Sequence, residues 1–213
     1  MGQFNLDRIF APQAVAVVGA SDRPGSIGRS VLENIVAGGF AGPIYPVNPT
    51  RDQILGLKCH PDLAAIKAPV DLAVVVTAIA RAPEIIETCG RLGIYGVIVI
   101  SGGGKEAGPE GEEIEQRMLA AARAQGVRIL GPNCLGALSS GAKLNASFAH
   151  LMPTPGSLAF VSQSGATCTA VLDFAVTVGI GFSHFVSIGS MLDVDFGDLI
   201  DYLGDDPNTS AIL

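Results

Sequence analysis

The sequence contains no tryptophan, aromatic residues make up 6% of it, and charged residues only 15% of its 213 positions. So small a charged share, beside 48% hydrophobic residues, excludes a disordered chain and fits a sheet buried on both faces. There is no excess of cations. The formal net charge is −7, so no overall field draws the chain to nucleic acid or to an anionic membrane, and neither is expected as a partner. No apolar run approaches the roughly 18 residues that span a bilayer. The opening MGQFNLDRIF has neither the basic n-region nor the apolar stretch of a secretory signal, and Leu6 stands where a myristoylation signal wants Ser or Thr. Cys59, Cys89, Cys134 and Cys168 form no CxxC pair, which argues for buried thiols in a reducing compartment over a disulfide frame or a zinc site. His60, His150 and His184 lack any metal-type pairing, so no metal site is expected. The expected location is the cytoplasm.

What the sequence does have is glycine, 27 residues of it, and short apolar runs separated by helical stretches. Runs at 14–18, 44–47, 72–76, 97–100 and 127–130 read as buried strands. Residues 27–37, 83–92 and 110–124 read as helices, and 62–66 as a shorter one. Continuous apolar strands alternating with helices predict a doubly wound α/β fold with a Rossmann-like parallel sheet, its strand-to-helix loops gathered at one edge. This first domain is expected over residues 1–135. Residues 136–156, rich in Gly and Pro, read as a connection. The rhythm restarts over 157–213, with strands at 158–161 and 182–186 and helices at 165–178 and 196–203. A further apolar run begins at 211 with no turn after it, and the expectation is a second α/β domain that is only partly present.

The first strand runs into Gly19-Ala20-Ser21-Asp22-Arg23-Pro24-Gly25-Ser26-Ile27-Gly28. Glycines at 19, 25 and 28 permit a tight turn, close approach of backbone to a phosphate, and close packing of helix on strand. The helix that follows offers free N–H groups and the positive end of its dipole, and Ser21, Arg23 and Ser26 add donors. The alternative is a glycine turn that binds nothing. The spacing departs from GxGxxG. The end of the second strand reads Val47-Asn48-Pro49, where an NAD site wants Asp or Glu for the ribose hydroxyls. That disfavours an NAD(P)-linked oxidoreductase and favours another phosphorylated nucleotide. A second loop, Ser162-Gln163-Ser164-Gly165, opens a helix. It reads equally as an oxyanion or phosphate cradle and as a plain Ser N-cap. Cys134, in Gly131-Pro132-Asn133-Cys134, has no identifiable base beside it and reads as structural.

GASDRPGSIG, GPIYPVNP, DLAVVV, GPNCLG and FVSQSGA occur in this order. Together, at matching spacing over nearly the whole chain, they resemble the N-terminal part of the NDP-forming acyl-CoA synthetases, in particular the ADP-forming acetyl-CoA synthetases. More distantly they are similar to the α subunit of succinyl-CoA synthetase. The resemblance implies a CoA-binding Rossmann-like domain followed by the start of a flavodoxin-like domain. It implies reversible conversion of acyl-CoA, NDP and phosphate into acid, CoA and NTP, through an acyl phosphate and a phosphohistidine. On that basis CoA (acetyl-CoA) would place its phosphates on Gly19, Ser21, Arg23, Gly25, Ser26 and Gly28. Asn48 and Pro49 would line the nucleotide end. Val76, Thr77 and Ala78, with Ser101 and Gly102, would flank the rest. Ser162, Gln163, Ser164 and Gly165 would cradle the phosphate of the phosphohistidine, with Asn133 close by. The family usually carries an aromatic residue in the loop after the fourth strand; here that loop, from Ser101 to Glu106, has none.

No histidine in this chain stands in the context of the family's catalytic one, so no catalytic residue is expected here. ATP or ADP and Mg would act through an ATP-grasp domain or subunit outside this chain, and an acyl phosphate and a homo- or hetero-oligomer are implied. Two relatives in function compete. LNASFAH and DVDFGDLIDYL also resemble the synthetase-like, regulatory part of acetyltransferase-fused protein lysine acetyltransferases. A stand-alone CoA- or nucleotide-sensing module is the other.

Overall fold

A computed structural model describes residues 2–213. The chain opens with α1 (Asp7–Phe10), β1 (Val15–Val18), α2 (Ile27–Ala37) and β2 (Ile44–Val47). A small hairpin, β3 (Gln53–Ile54) and β4 (Leu57–Lys58), leads to β5 (Leu72–Val75), α3 (Ala82–Arg91), β6 (Gly96–Val99), α4 (Pro109–Gln125) and β7 (Arg128–Leu130). Then come β8 (Gly136–Ser139), β9 (Leu144–Ser147), β10 (Thr154–Ser162), α5 (Gly165–Val178), β11 (Gly181–Ser187), α6 (Phe196–Gly204) and β12 (Ala211–Ile212).

The first sheet is parallel throughout, in the order β2-β1-β5-β6-β7. The direction of winding reverses at β1, so the carboxyl ends of β1 and β5 flank the crevice where doubly wound sheets bind ligands. The run VAVV explains why β1 sits centrally. Its side chains alternate between two apolar interiors, and both are filled. Val15 and Val17 join Leu72, Val74 and Ile98 on one face. Ala16 and Val18 join Val75, Val97 and Val99 on the other, under Ile86 and Cys89 of α3 and Met118 of α4.

The second sheet is mixed, in the order β12-β10-β11-β8-β9. β12, β10 and β11 are parallel, and β8 runs antiparallel to β11 and to β9. Residues 136–156 are therefore no bare connection. They supply the β8–β9 hairpin and the first residues of β10. The sequence hides these strands because GALS and LNAS are short and buried throughout, with no β-branched residues and no polar alternation to read. The helix α1 and the β3–β4 hairpin were likewise not expected. Both are too short to show a period.

The two sheets share one interior. Leu144 and Ala146 of β9, Val186 of β11 and Leu199 of α6 lie in the same buried cluster as Val15 and Leu72. α2 lies in this shared layer with Val31, Leu32 and Ile35 completely buried, and full burial of one such side chain contributes about 1.5–3 kcal/mol. Its Asn34 Nδ2 donates to the carbonyls of Ser147 and Ala149, both at 2.8 Å, and so ties the helix to the end of β9.

A second tie is ionic. Arg128, at the start of β7, is 97% buried by its side chain's 3% exposure. Its Nε donates to Asp193 Oδ2 at 2.9 Å and its Nη2 to Asp198 Oδ2, both from the segment after β11. Its Nη1 donates to the carbonyls of Gly2 and Phe4. Asp193 Oδ2 also accepts from Ile129 N, and Val194 N and Leu192 N donate to Ile129 O and Gly131 O. The segment after β11 thus covers the edge of β7, which would otherwise expose unpaired backbone. Removing one partner of such a buried cluster strands the other charges. We expect Arg128→Met to lower unfolding free energy in urea by about 3–5 kcal/mol, and the added pair Asp193→Asn and Asp198→Asn to recover part of it. A loss below about 1 kcal/mol, the level of an exposed pair, would contradict this role.

Candidate functional site

The loop from Gly19 to Gly28 sits at the winding reversal. Gly19 has φ +95°, and a Cβ there would lie 2.9 Å from Thr77 Cγ2, across the crevice between β1 and β5. A Cβ on Gly28 would lie 2.2 Å from the carbonyl oxygen of Gly19, so the first turn of α2 is pressed directly on the end of β1. Gly25 takes φ +73° with open space around it. The sequence assigned these three glycines a turn, a close approach and tight packing. Gly28 meets the packing demand, and the positive φ angles of Gly19 and Gly25 make the turn.

The loop is braced from within. Ser21 Oγ accepts from Arg23 N at 3.0 Å, and Ser26 Oγ donates to Arg23 O at 2.7 Å. Because Ser26 turns back to Arg23, it makes no side-chain cap on α2, and no side chain among the described residues satisfies the N–H groups of Ile27 and Gly28. Of the three arginines around the loop, Arg29 is tied to Asp22 O and Glu33, and Arg51 to Asp22. Among the described residues the exposed Arg23 guanidinium has no such partner. Asn48 Nδ2 donates to Ala20 O at 2.8 Å, while its Oδ1 accepts from Thr50 N. The residue standing where an NAD site wants a carboxylate therefore holds the two loops together.

Thr77 Oγ1 is buried without a hydrogen-bond partner, an exception among buried polar groups, and it lies at the floor of the crevice. The Ser101 hydroxyl donates to Thr77 O, linking the loop after β5 to the loop after β6. Two clefts flank this link. One, of about 220 Å³, is lined by Gly19, Pro49, Thr77, Arg81 and Glu84. The other, of about 440 Å³, is lined by Ile27, Ser101, Gly102, Asn133, Gln163 and Ser164. The second cleft thus unites four segments: the start of α2, the loops after β6 and β7, and the start of α5. Phe148 also faces it, so an aromatic ring reaches this cleft from the segment after β9. Arg81 stands in no motif that the sequence marks out, and Phe148 stands only within LNASFAH, with no site role assigned to it.

At α5, Ser164 Oγ accepts from Thr167 N at 3.2 Å, an N-cap, and Ser162 Oγ accepts from Ser164 N. Val76 is half-buried and Ala78 exposed at the crevice. None of the three histidines lies at this edge of the second cleft. His60 pairs its backbone with β2, His150 bonds Asp173 on α5 at 2.8 Å, and His184 lies within β11. Cys134 is no nucleophile. Burial pushes its thiol up to about 12, and Cys89 is raised equally by the same cause. Among the described residues no group of His, Cys, Asp or Glu is arranged to hold a metal ion, and no helix is long and apolar enough to cross a membrane.

Residues 13–140 match the family described as CoA binding domain, and residues 155–213 match the succinyl-CoA ligase like flavodoxin domain. The chain belongs to the CoA binding domain family. It is 41% identical over 208 residues to acetate–CoA ligase (ADP-forming) I of Archaeoglobus fulgidus, covering 98% of this chain and 30% of that one. It is equally 41% identical over 213 residues to the α subunit of acetate–CoA ligase (ADP-forming) I of Pyrococcus furiosus, covering 98% and 46%. The dinucleotide forming acetyl-coenzyme A synthetase 1 of Ca. Korarchaeum cryptofilum, solved in complex with phosphate and ADP, superposes with a TM-score of 0.93 at 42% identity, over 97% of this chain and 44% of that one. The chain therefore spans between 30% and 46% of the length of these relatives.

Two outcomes follow from the geometry. Gly28→Ala should cost about 1–3 kcal/mol of stability by overpacking against the Gly19 carbonyl, measured by urea unfolding without ligand. Cys89 and Cys134 should resist iodoacetamide at pH 8 in the native protein and react on unfolding; rapid native labelling would show that their thiols are not held protonated.

Proposed function

We propose that this chain is the CoA-binding portion of an ADP-forming acyl-CoA synthetase, with residues 1–135 as the CoA-binding unit and 157–213 as the opening of the succinyl-CoA ligase-like unit. The observation that carries the reading is the meeting, at one sheet edge, of the uncapped start of α2, the unpartnered Thr77 hydroxyl and the start of α5. The CoA phosphates lie on the N–H groups of α2 and on Arg23. The nucleotide end takes the cleft beside Pro49 and Arg81, and the pantetheine arm passes Thr77 and Ser101 into the cleft beside Ser164. This direction brings the thiol to the hydroxyls and N–H groups that open α5, where an acyl phosphate or a phosphorylated side chain finds anion-binding donors. Asn48, with its amide spent on Ala20 O, leaves no carboxylate to select the ribose of NAD.

Phosphoryl transfer needs a nucleophilic side chain at that second cleft, and none of the chain's histidines reaches it. The phosphate-carrying histidine and the ATP-grasp unit that exchanges its phosphoryl group with the nucleotide are therefore supplied by sequence outside these residues, in the same polypeptide or in a partner subunit.

Isothermal titration with CoA and with NAD tests the reading. CoA should bind and NAD should bind more weakly. Arg23→Ala, which removes a charge-assisted phosphate contact and touches no core residue, should weaken CoA about tenfold or more, or about 1.4 kcal/mol. Equal or tighter binding of NAD, or CoA affinity indifferent to Arg23, would overturn the proposal.

A further inference from the structure

The cleft of about 440 Å³ beside the start of α5 has two unlike walls. One is polar, formed by Ser101, Asn133, Gln163 and Ser164. The other is apolar, and its two exposed members are Ile27, the first residue of α2, at 46%, and Phe148, at 38%. A lone exposed apolar side chain is common on any surface and carries no meaning by itself. What sets Phe148 apart is how firmly its backbone is held. Its N–H donates to Leu135 O at 3.2 Å. The carbonyls on either side of it, of Ser147 and Ala149, both accept from Asn34 Nδ2 of α2 at 2.8 Å. Ala149 N donates to Ser147 Oγ at 3.1 Å. The segment is thus fixed to both α2 and the start of β8, while the phenyl ring is left at the cleft instead of in the core.

The loop after β6 has no room to supply such a wall. A Cβ on Gly102 would lie 3.2 Å from Asn133 Oδ1, and a Cβ on Gly104 would lie 2.1 Å from Glu115 Oε1. Gly103 between them takes φ +102°. This loop is pressed on its neighbours as bare backbone, so the apolar side of the cleft comes from Phe148 and Ile27. The cleft is also without formal charge: among the described residues no Lys, Arg, Asp or Glu lines it. A carboxylate entering that space leaves water and meets no cation, which is costly. An uncharged hydrocarbon body entering it gains by leaving water, and an aromatic ring is a good surface to receive it. The polar wall suits the oxygen-bearing end of a ligand, and the apolar wall suits what is attached to it.

We propose that Phe148, backed by Ile27, is the residue that selects the acyl group. An uncharged, apolar acyl chain larger than acetyl lies against its ring, and an acyl chain that ends in a second carboxylate is rejected by the uncharged cleft. This role rests on the placement of CoA proposed above, which brings the thiol into the cleft beside Ser164. Phe148 acts by contact with the acyl chain and makes or breaks no bond.

Isothermal titration of this chain with CoA, isovaleryl-CoA and succinyl-CoA tests the role, because the two acyl groups are similar in size and differ in the terminal carboxylate. Isovaleryl-CoA should bind about tenfold tighter than CoA, and succinyl-CoA no tighter than CoA. Phe148→Ala should cut the isovaleryl-CoA advantage over CoA to about twofold or less, whereas Phe148→Leu, which keeps an apolar body, should retain about fivefold. Taking the ratio within each variant cancels any change in how the CoA part is held. A measurement on the unaltered protein needs no variant to fold: nuclear Overhauser contacts should join the isovaleryl methyls to the Phe148 ring protons. Equal affinity for isovaleryl-CoA and succinyl-CoA, a ratio unchanged in Phe148→Ala, or no Overhauser contact at saturation would each overturn the role of Phe148, and with CoA still bound the CoA reading would stand. Failure of CoA and both thioesters to bind would overturn the two together.

Discussion

The Arg128 cluster is the interaction on which the arrangement of the two sheets depends. One buried guanidinium is satisfied by two carboxylates from the second sheet's side and by two carbonyls from the chain's first residues. Burying three formal charges is unfavourable unless every donor is matched, and here Nε, Nη1 and Nη2 all are. The match is geometric, because the guanidinium fork fixes where Asp193 and Asp198 must sit. That in turn sets the segment after β11 against β7 and positions the start of α6, where Asp198 lies in the first turn and Asp195 caps the helix through Asp198 N. A hydrophobic replacement could stabilise the same volume but would not specify this register. Directionality is what the ionic cluster adds.

With the sheets so fixed, α2 becomes a strut between them. Its buried face is Val31, Leu32 and Ile35, and Asn34 holds β9. Its N-terminus is pressed on the end of β1 through Gly28, where no side chain fits. The position of the N–H groups at the start of α2 is therefore determined by the packing of the helix as well as by the loop. A loop with only internal bonds, Ser21 to Arg23 and Arg23 to Ser26, would keep its shape but not its place.

Much of this was legible in the sequence. Apolar runs such as VAVV and LAVV can be strands of a two-faced buried sheet and little else, and the glycine loop between strand and helix marked the tight turn and close packing that Gly19 and Gly28 make. The small elements were not legible, and their cost was specific. GALS and LNAS carry neither β-branched enrichment nor alternation, so the hairpin that builds the second sheet read as linker. The role of Asn48 was half visible: the absent carboxylate could be read, but the bond to Ala20 O depends on two loops meeting. Arg128, Asp193 and Asp198 are separated by 65 and 70 positions, and nothing local in the sequence marks a charge destined for burial.

The same strut also joins two clefts that share no residues. α2 presents its N-terminus to the glycine-loop edge, and the chain leaving its C-terminus supplies Phe40, Ala41 and Gly42 to a cleft of about 640 Å³ on the opposite side. Gly42 stays a glycine there because a Cβ would lie 2.0 Å from Gln13 O. A helix buried on three side chains and bonded twice through Asn34 cannot tilt without loss at both ends. At the glycine-loop edge, the ordering cost that binding would otherwise carry is therefore met when the core forms. The edges at the two ends of α2 are thus shaped by the packing of the core before any ligand arrives.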